Sequence, residues 1–422
     1  MLLVAQGVSA AFLADSKTRL DFRNFYFIND NRSTGATPSK TQGWAQGFVF
    51  RHESGFTDGP VGLGLDVTGM LALTLDSGGG RHLGSSMIPS ASDGTAVGQW
   101  GRLGGTAKFR VSRTELRQGT LAPRLPILQA NDGRVLPQTF EGTLITSREL
   151  PGLTLNAGHL DKAVGRGSSD RTGLAAAGGT RQSDDFWFAG GDWQATRQLT
   201  AQYYFAHLQD YYDQQFIGLL HTWPIAQGRQ LRTDLRYFRT QASGNNRSGS
   251  AGYRVNGYTD DNDGKIDNLT WSAAATYTHD AHSVTAGYQS VSGASDFTQL
   301  NQGRLPGKGA AGTSLYLYTD RLVQSFNRAG ERTAFAQYAY DFTALGAPGL
   351  TASLAYLDGR GIKSRSGASL TEWERDLGLD YVVQSGALKG LGFGWRNGTS
   401  NSQVDGDQDQ TRVYINYSLP LR

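Results

Sequence analysis

The sequence predicts an all-β protein: an 18-stranded antiparallel transmembrane β-barrel with inward-folded loops that form a constriction. Three observations lead to this prediction. Only 38% of the 422 residues are hydrophobic, yet glycine accounts for 56 residues and aromatic residues for 11%. Apolar and polar residues alternate along most of the chain, and long connections alternate with short ones. This combination is typical of barrels in outer membranes.

The start of the chain resembles the end of a secretory leader. Residues 2–5 are apolar, and Val8-Ser9-Ala10 offers the small residues that signal peptidases prefer. The basic segment that should come first is missing, so a tag is an equal alternative. We assign residues 1–13 to this leader and residues 14–422 to a single barrel. The nearly apolar stretch 2–14 is shorter than the roughly 20 residues of a membrane-spanning helix, which excludes a helical membrane protein.

Strands are predicted wherever large apolar residues alternate with small, polar or charged ones. The segments 268–278, 391–396 and 412–419 show this pattern clearly. One face then suits lipid and the other suits a water-filled lumen. A soluble sandwich has the same period of two, so the period alone leaves that alternative open. Trp and Tyr near the strand ends favour the barrel, because such residues line membrane interfaces.

The connections set the number of strands. Short links are predicted at 52–60, 111–113, 148–152, 195–198, 225–229, 279–282, 343–349 and 384–390. Long links are predicted at 29–43, 76–101, 119–140, 162–184, 209–214, 241–267, 291–331, 359–371 and 398–410. Eight short and nine long links alternate strictly, which gives 17 connections and 18 strands. Short periplasmic turns and long external loops are the asymmetry of an outer-membrane barrel, and closure leaves no unpaired edge in hydrocarbon.

Two of the long links are expected to fold into the lumen. The stretch 119–140 is too apolar for a solvated loop, because it would expose a patch that protein surfaces avoid. The stretch 291–331 is unusually long for a loop without a function. Eighteen strands enclose more space than side chains can fill, so both stretches have room inside. We interpret both as constrictions of the lumen.

Arginine dominates the basic residues, with 32 arginines against 8 lysines. This ratio favours bidentate recognition of carboxylates. The alternation places Arg19, Arg23, Arg51, Lys108, Arg110, Arg232, Arg236, Arg396 and Arg412 on the lumen face. Arg124 and Arg134 lie on the stretch 119–140, and we place Arg148 at a turn beside it. Such a row predicts a path that binds anions weakly and passes them on; the alternative is that lumen acids pair with these arginines and stiffen the wall.

Acidic residues are expected to face this path. Asp132 lies on one inward loop, and Asp320 and Glu331 lie on or beside the other. They offer a negative wall that sorts zwitterions or cations. Salt bridges to nearby arginines are the favoured alternative.

The sequence contains no recognisable catalytic or metal-binding motif. The seven histidines have no zinc-binding spacing, and no G-x-S-x-G elbow occurs. The run 260–264 resembles a calcium loop, but Thr259 and Thr270 occupy its first and last ligand positions. The absence of cysteine excludes disulfides and thiol nucleophiles, and a net charge of +3 argues against a nucleic-acid-coating surface. We predict no enzyme activity, no cofactor and no nucleic-acid partner, and leave a weak calcium site open.

Several short segments resemble the OprD family of substrate-specific outer-membrane porins, also called the carboxylate-specific channels. They are 12–17 (FLADSK), 54–62 (SGFTDGPVG), 136–142 (LPQTFEG), 188–192 (FAGGD), 214–218 (QQFIG), 233–237 (TDLRY) and 265–268 (KIDN). The resemblance implies third and seventh external loops folded into an eyelet, and a basic ladder that faces an acidic pocket. It places the ladder at Lys108, Arg110, Arg134, Arg396 and Arg412, and less directly at Arg23 and Arg51. Gly133 stands where the family usually has serine. Of the family's branches for basic amino acids and for cyclic carboxylates, we favour the second.

The favoured function is facilitated diffusion of small carboxylate-bearing solutes, namely organic or aromatic acids and amino acids. A general-diffusion porin with a mild anion preference is the main alternative. A barrel enzyme and a soluble binding module are further rivals from other classes. The expected surroundings are the lipid bilayer and lipopolysaccharide of the outer membrane, and the expected assembly is a monomer or a weak trimer.

Overall fold

The computed structural model describes residues 12–303 and 312–422, so most of the predicted leader lies outside the described residues. The strands are β1 (Lys17–Asn31), β2 (Lys40–Glu53), β3 (Gly62–Asp76), β4 (Gln99–Val111), β5 (Thr114–Leu121), β6 (Arg124–Leu125), β7 (Leu128–Gln129), β8 (Thr139–Ser147), β9 (Leu153–Val164), β10 (Leu174–Ala176), β11 (Phe186–Gln194), β12 (Leu199–Leu208), β13 (Tyr212–Ala226), β14 (Arg229–Ala242), β15 (Asp267–His279), β16 (His282–Val291), β17 (Leu300–Gln302), β18 (Arg332–Asp341), β19 (Leu350–Lys363), β20 (Ser369–Val382), β21 (Gly392–Ser402) and β22 (Gln408–Pro420). A four-residue helix, Gly244–Arg247, and a 3-10 turn, Phe342–Leu345, lie in the connections between strands.

Eighteen of these strands form one closed antiparallel barrel. Each pairs with its neighbour in the chain, and β1 pairs with β22 to close the sheet. The four short strands β6, β7, β10 and β17 lie in the loops and form two small sheets of their own. The predicted strand number is therefore confirmed. The strict alternation of long and short connections is not, because β12–β13, β19–β20 and β21–β22 are joined by only three to five residues, whereas the turns 342–349 and 383–391 contain eight and nine. Within the described ranges, no helix is long and apolar enough to cross a membrane.

The outer surface of the barrel is apolar, as the alternation predicts. Leu63, Leu65 and Leu103 all point outward and are exposed. Exposed tryptophans lie near both rims: Trp44 and Trp187 at the loop end of their strands, and Trp193 at the turn end. Aromatic girdles above and below an apolar band are what a bilayer requires of a barrel. This surface places the protein in lipid.

An arginine on this surface is expected to destabilise the barrel. Leu103 is 69% exposed on the outer face of β4, so Leu103→Arg puts a guanidinium into hydrocarbon and lowers the free energy of unfolding by about 2 kcal/mol or more. Equilibrium urea unfolding in phospholipid vesicles measures this. The control is Thr68→Arg on β3, whose side chain faces the cavity inside the barrel; an equal loss in both variants would contradict the assignment of the two faces.

The loops fill the external half of the lumen. Val135 and Leu136, from the loop between β5 and β8, are fully buried against Phe25 and Ala45 of the inner wall. Gly47 of β2 permits this approach, because a Cβ there would lie 2.9 Å from the carbonyl oxygen of Val135. We call this loop, residues 122–138, the third loop. The prediction that it folds inward is confirmed.

The loop between β16 and β18, residues 292–331, also enters the barrel, and we call it the seventh loop. Its Leu315 and Leu317 are buried in the same apolar cluster as Leu128 of the third loop. Asn131 Nδ2 donates a hydrogen bond to the carbonyl oxygen of Gly312 at 3.2 Å, which joins the two loops directly. Together they leave a narrowed passage. Residues 304–311 of the seventh loop lie outside the described residues.

Candidate solute path and constriction

An open cavity of about 830 Å³ lies inside the barrel beneath the third loop. Among the described residues, five arginines line it: Arg19, Arg23, Arg51, Arg117 and Arg124. Carboxylates also face it, with Asp21, Asp66, Asp132 and Asp380 among them. The cavity therefore has a wet, charged wall on the side formed by β1 to β5 and β20 to β22. This is the lumen that the lipid-facing pattern of the strands requires.

The arginines are arranged in levels along β1. Arg19 pairs across the sheet with Arg51 near the periplasmic end. Arg23 lies four residues further up, and Phe27, four residues above that, pairs with Arg412. Four residues of strand correspond to about 13 Å. Side chains as long as arginine can therefore pass a small anion from one level to the next.

Most of the wall arginines are paired with acids. Arg19 and Arg51 both contact the carboxylate of Asp21. Arg23 Nη1 donates to Asp132 Oδ1 at 2.7 Å, and Arg396 Nη2 donates to Asp380 Oδ2 at 2.6 Å. A guanidinium has five N–H donors, so one carboxylate does not exhaust it. The ion pairs therefore stiffen the wall, and each guanidinium keeps N–H donors that can bind a solute.

Three guanidiniums at the constriction differ, because they hydrogen-bond only neutral acceptors among the described residues. Arg134 of the third loop donates to the carbonyl oxygens of Ser85 at 3.0 Å and Gly133 at 2.8 Å. Arg166, in the loop between β9 and β10, donates to Asn131 Oδ1 at 3.0 Å. Arg412 donates to Gln410 Oε1 at 2.7 Å and to the carbonyl oxygen of Leu322. We call Arg134, Arg166 and Arg412 the eyelet arginines.

Burial and mutual repulsion act on the eyelet arginines. Burial, together with the charges of Arg412 and Arg166, lowers the pKa of Arg134 well below its usual value. Burial and Arg412 lower the pKa of Arg166 to about 10. Arg166 is thus still protonated at neutral pH, and Asp320 and Asp132 compensate its positive charge only in part and without a direct ion pair. An anion that enters the eyelet relieves this repulsion.

Asp320 of the seventh loop faces this cluster. Its carboxylate accepts hydrogen bonds from Leu315 N at 3.0 Å and Ser325 Oγ at 2.9 Å. Burial raises the pKa of Asp320, while Arg166 and Arg412 oppose the rise. Asp320 holds the seventh loop in shape and contributes one negative charge opposite the arginines, without a direct ion pair to them.

Three of the residues predicted for the path serve other purposes or lie elsewhere. Lys108 is only 4% exposed, because its Nζ contacts Asp66 Oδ1 at 2.6 Å and the carbonyl oxygen of Ser54 at 2.8 Å. Arg236 is enclosed by Asp234 and the seventh loop. Our placement of Arg148 beside the third loop is wrong: it follows β8 at the periplasmic turn, one strand-length away. The alternation is correct for Lys108 and Arg236 but does not show that they are buried.

The remaining predicted residues lie on the inner face of the barrel or in the two inward loops. Arg110 stacks on Phe56, with its guanidinium carbon 4.0 Å from the ring centre. Arg232 lies 3.9 Å from Asp234 and stays half exposed. Arg124 is exposed in the cavity and makes no side-chain hydrogen bond or ion pair with the described residues. Glu331 is buried and accepts a hydrogen bond from Arg328 N at 3.1 Å, so it anchors the seventh loop from behind.

Sequence reasoning missed Arg102, Arg117 and Arg166. Arg102 shares the inward phase of Lys108 and Arg110 on β4, and Arg117 of β5 pairs with Lys108. Applying the alternation to the whole of β4 and to β5 would therefore have found both. Arg166 lies in a loop without periodicity, and no pattern pointed to it. In the part of the chain that the structure describes, no group of acidic or histidine side chains is placed to hold a metal ion.

A closed barrel with an apolar belt, a charged lumen and loops folded into its bore defines a porin of the outer membrane. The comparisons with known proteins agree on which kind. The sequence model of one family, the outer membrane porins of the OprD family, matches residues 10–421 of this chain. The chain belongs to that family. Its relatives are channel proteins rather than enzymes.

Two relatives and two solved structures illustrate the likeness. Porin D of Pseudomonas aeruginosa is 34% identical over 99% of this chain and 93% of its own length. Porin-like protein GalP of Pseudomonas putida is 32% identical over 99% and 95%. The structure of Pseudomonas aeruginosa OccK8 (OprE) superposes with a TM-score of 0.89 at 44% identity, covering 98% of this chain and 100% of that one. That of Pseudomonas aeruginosa OpdK with vanillate gives 0.85 at 34% identity, covering 97% and 100%.

Proposed function

We propose that this porin passes small carboxylate-bearing solutes by facilitated diffusion along the arginines of its lumen. The observation that carries the proposal is the set of eyelet arginines, whose guanidiniums converge at the constriction without a carboxylate partner among the described residues. Buried cations normally have an acidic partner, because an uncompensated charge is destabilising. A carboxylate solute supplies the missing partner while it passes.

The path below the eyelet supports release. From Arg134 and Arg412 a carboxylate reaches the level of Arg23, then that of Arg19 and Arg51. At each level Asp132 or Asp21 competes for the guanidinium. This competition weakens the binding of a solute, and conduction needs sites that are favourable enough to enter and weak enough to leave. The acids of the wall thus speed passage rather than block it.

One related structure was solved with a solute of this class. OpdK was crystallised with vanillate, an aromatic carboxylate. An aromatic acid also suits the cavity, because Tyr414, which has the inward phase of Arg412, offers an aromatic ring on its wall. We therefore favour small aromatic or organic acids over amino acids. A general-diffusion pore with a mild anion preference remains the second candidate, favoured by the size of the 830 Å³ cavity below the loops.

Replacing Arg166 by glutamine tests the proposal. The variant removes one positive charge that has no direct carboxylate contact among the described residues, and it keeps a hydrogen-bonding group beside Asn131. One charge-assisted contact contributes about 1.5–3 kcal/mol, so benzoate uptake into proteoliposomes should fall about tenfold or more, whereas uptake of neutral arabinose should change less than twofold.

The matched control is Arg171→Gln, which lies in the same loop but pairs with Glu141 at 3.2 Å. It should retain benzoate uptake. Equal losses of benzoate and arabinose flux in Arg166→Gln would favour the general-diffusion alternative. Saturation of the benzoate flux in the unaltered protein provides a second, independent criterion.

A further inference from the structure

The lipid-facing surface of β8, β9, β11 and β12 carries an apolar hollow of about 640 Å³. Small residues form its floor: Ala157 pairs directly with Ala189, and Gly191 lies one step further toward the turns. Leu155, Trp193 and Tyr203 border it and are 45%, 56% and 49% exposed. The hollow extends along β11 from Ala189 to Trp193, about 13 Å of strand. This length matches a substantial part of one acyl chain in the periplasmic leaflet.

Two exposed cations lie at the periplasmic end of this hollow. The turns after β8 and β11 are adjacent, because Gln194 N donates to the carbonyl oxygen of Gly152 at 2.7 Å. Arg148 and Arg197 are exposed in these turns, and their side chains have no hydrogen-bond or ion-pair partner among the described residues. The nearest acid of the turn, Glu149, is already engaged by Ser112 Oγ at 2.9 Å and Arg113 N at 2.8 Å.

We propose that this surface binds one anionic phospholipid of the periplasmic leaflet, with an acyl chain in the hollow and its phosphate at Arg148 and Arg197. Arginine near a membrane surface attracts anionic headgroups, and the apolar groove lies directly above the cations. The inference is independent of what the lumen conducts. It also assigns a role to Arg148, which the solute path leaves unused.

Charge argues for a lipid rather than a second copy of the chain. Two copies related by a two-fold axis through this surface would bring their own Arg148 and Arg197 toward each other, and like charges at an interface oppose association. A phosphate has the opposite sign and can approach from the bilayer plane. The depth of the floor, set by Ala157, Ala189 and Gly191, suits a flexible chain better than a flat protein face.

The barrel contains a comparison site that lacks the cations. A second lipid-facing hollow, of about 480 Å³, is lined by Tyr338, Tyr340, Ala352 and Leu354. The turn that borders it, 342–349, contains no basic residue. This second hollow offers acyl contact without phosphate recognition, so it serves as an internal control.

Native mass spectrometry of the purified full chain in detergent, titrated with dioleoyl phosphatidylglycerol, tests the proposal. The unaltered protein should retain one lipid in preference to a zwitterionic phosphatidylcholine. The double variant Arg148→Gln/Arg197→Gln should bind it about tenfold more weakly. Ala189→Leu, which fills the hollow, should weaken binding without changing charge.

Two controls and a second readout keep the result decisive. Ala352→Leu in the second hollow and Arg229→Gln at another turn should leave binding unchanged, and all variants should retain the single-channel conductance of the unaltered barrel. The proposal is overturned if the double arginine variant binds phosphatidylglycerol as well as the unaltered protein, or if Ala189→Leu and Ala352→Leu behave alike. A change of oligomeric state in Ala189→Leu alone would assign the hollow to a second copy instead.

Discussion

Replacing Arg236 by alanine is expected to release the seventh loop, raise the mean single-channel conductance and make it fluctuate. Arg236 donates through Nε and Nη2 to both oxygens of Asp234, at 3.1 and 2.9 Å. Its Nη1 donates to the carbonyl oxygen of Tyr316 at 3.0 Å. The guanidinium also stacks on Tyr316 and Tyr318, 3.8 and 4.1 Å from their ring centres. Arg236 thus joins the loop to β14 through one hydrogen bond and two stacking contacts.

The expected effect is large because the partner of Arg236 is buried. Asp234 is 2% exposed, and removing one member of a buried ion pair is destabilising by about 3–5 kcal/mol. Tyr318 donates its hydroxyl hydrogen to Asp234 at 2.8 Å, which compensates only part of the charge. The loop should therefore leave the wall so that water can reach Asp234.

Planar-bilayer recordings and urea unfolding measure the two consequences. The matched control is Arg232→Ala, two inward positions from Arg236 on the same strand, where the guanidinium is half exposed and 3.9 Å from Asp234. Such an exposed pair contributes at most about 1 kcal/mol, so its conductance and stability should stay close to the unaltered protein. The double variant Arg236→Ala/Asp234→Ala removes the unpaired charge and should regain part of the stability. A quiet, unchanged conductance in Arg236→Ala would show that the seventh loop is held by other contacts.

The barrel itself could be predicted from sequence because lipid imposes a simple rule. Every strand must present apolar residues to hydrocarbon at every second position, and this rule fixes the inner face of Arg19, Arg51, Arg396 and Arg412 at once. The predicted turn at 111–113 is also found, because β4 ends at Val111 and β5 begins at Thr114. Ser112 between them adopts a left-handed backbone conformation with φ 53°. Local rules acting on single strands are readable from one chain.

The accessibility of the inward residues could not be read in this way. Lys108 and Arg236 have the correct phase but are covered, the first by Ser54 of a turn and the second by Tyr316 of a loop. Those contacts join residues far apart in the chain and depend on how the loops pack. Arg166 shows the converse, since it reaches the eyelet from a loop that has no periodic signal. The wall of the channel follows from pattern, whereas the constriction follows from tertiary packing.

Arg102 is expected to control the selectivity of the eyelet without contacting a solute. Its Nη1 donates to the carbonyl oxygens of Gly165 at 3.1 Å and Ser168 at 2.8 Å, and its Nη2 donates to the carbonyl oxygen of Pro137. It therefore fastens the third loop, which carries Arg134, to the loop that carries Arg166. Arg102→Ala leaves these carbonyl groups without their donor and frees both loops together. Hydrogen bonds to a charged group contribute about 1.5–3 kcal/mol each. We therefore expect the loss of the three hydrogen bonds of Arg102 to let the two loops move apart.

The expected result for Arg102→Ala is a ratio of benzoate to arabinose uptake that falls about tenfold, because Arg134 and Arg166 no longer converge. Arg102→Lys should fail to restore the ratio, since a single ammonium cannot span the carbonyl groups of two loops. The control is Arg117→Ala on the neighbouring strand, which faces the same cavity but pairs only with Glu115; it should reduce benzoate uptake modestly and leave the loops in place. A lower flux of both solutes at an unchanged ratio in Arg102→Ala would mean that Arg102 supports the barrel wall and not the arrangement of the eyelet arginines.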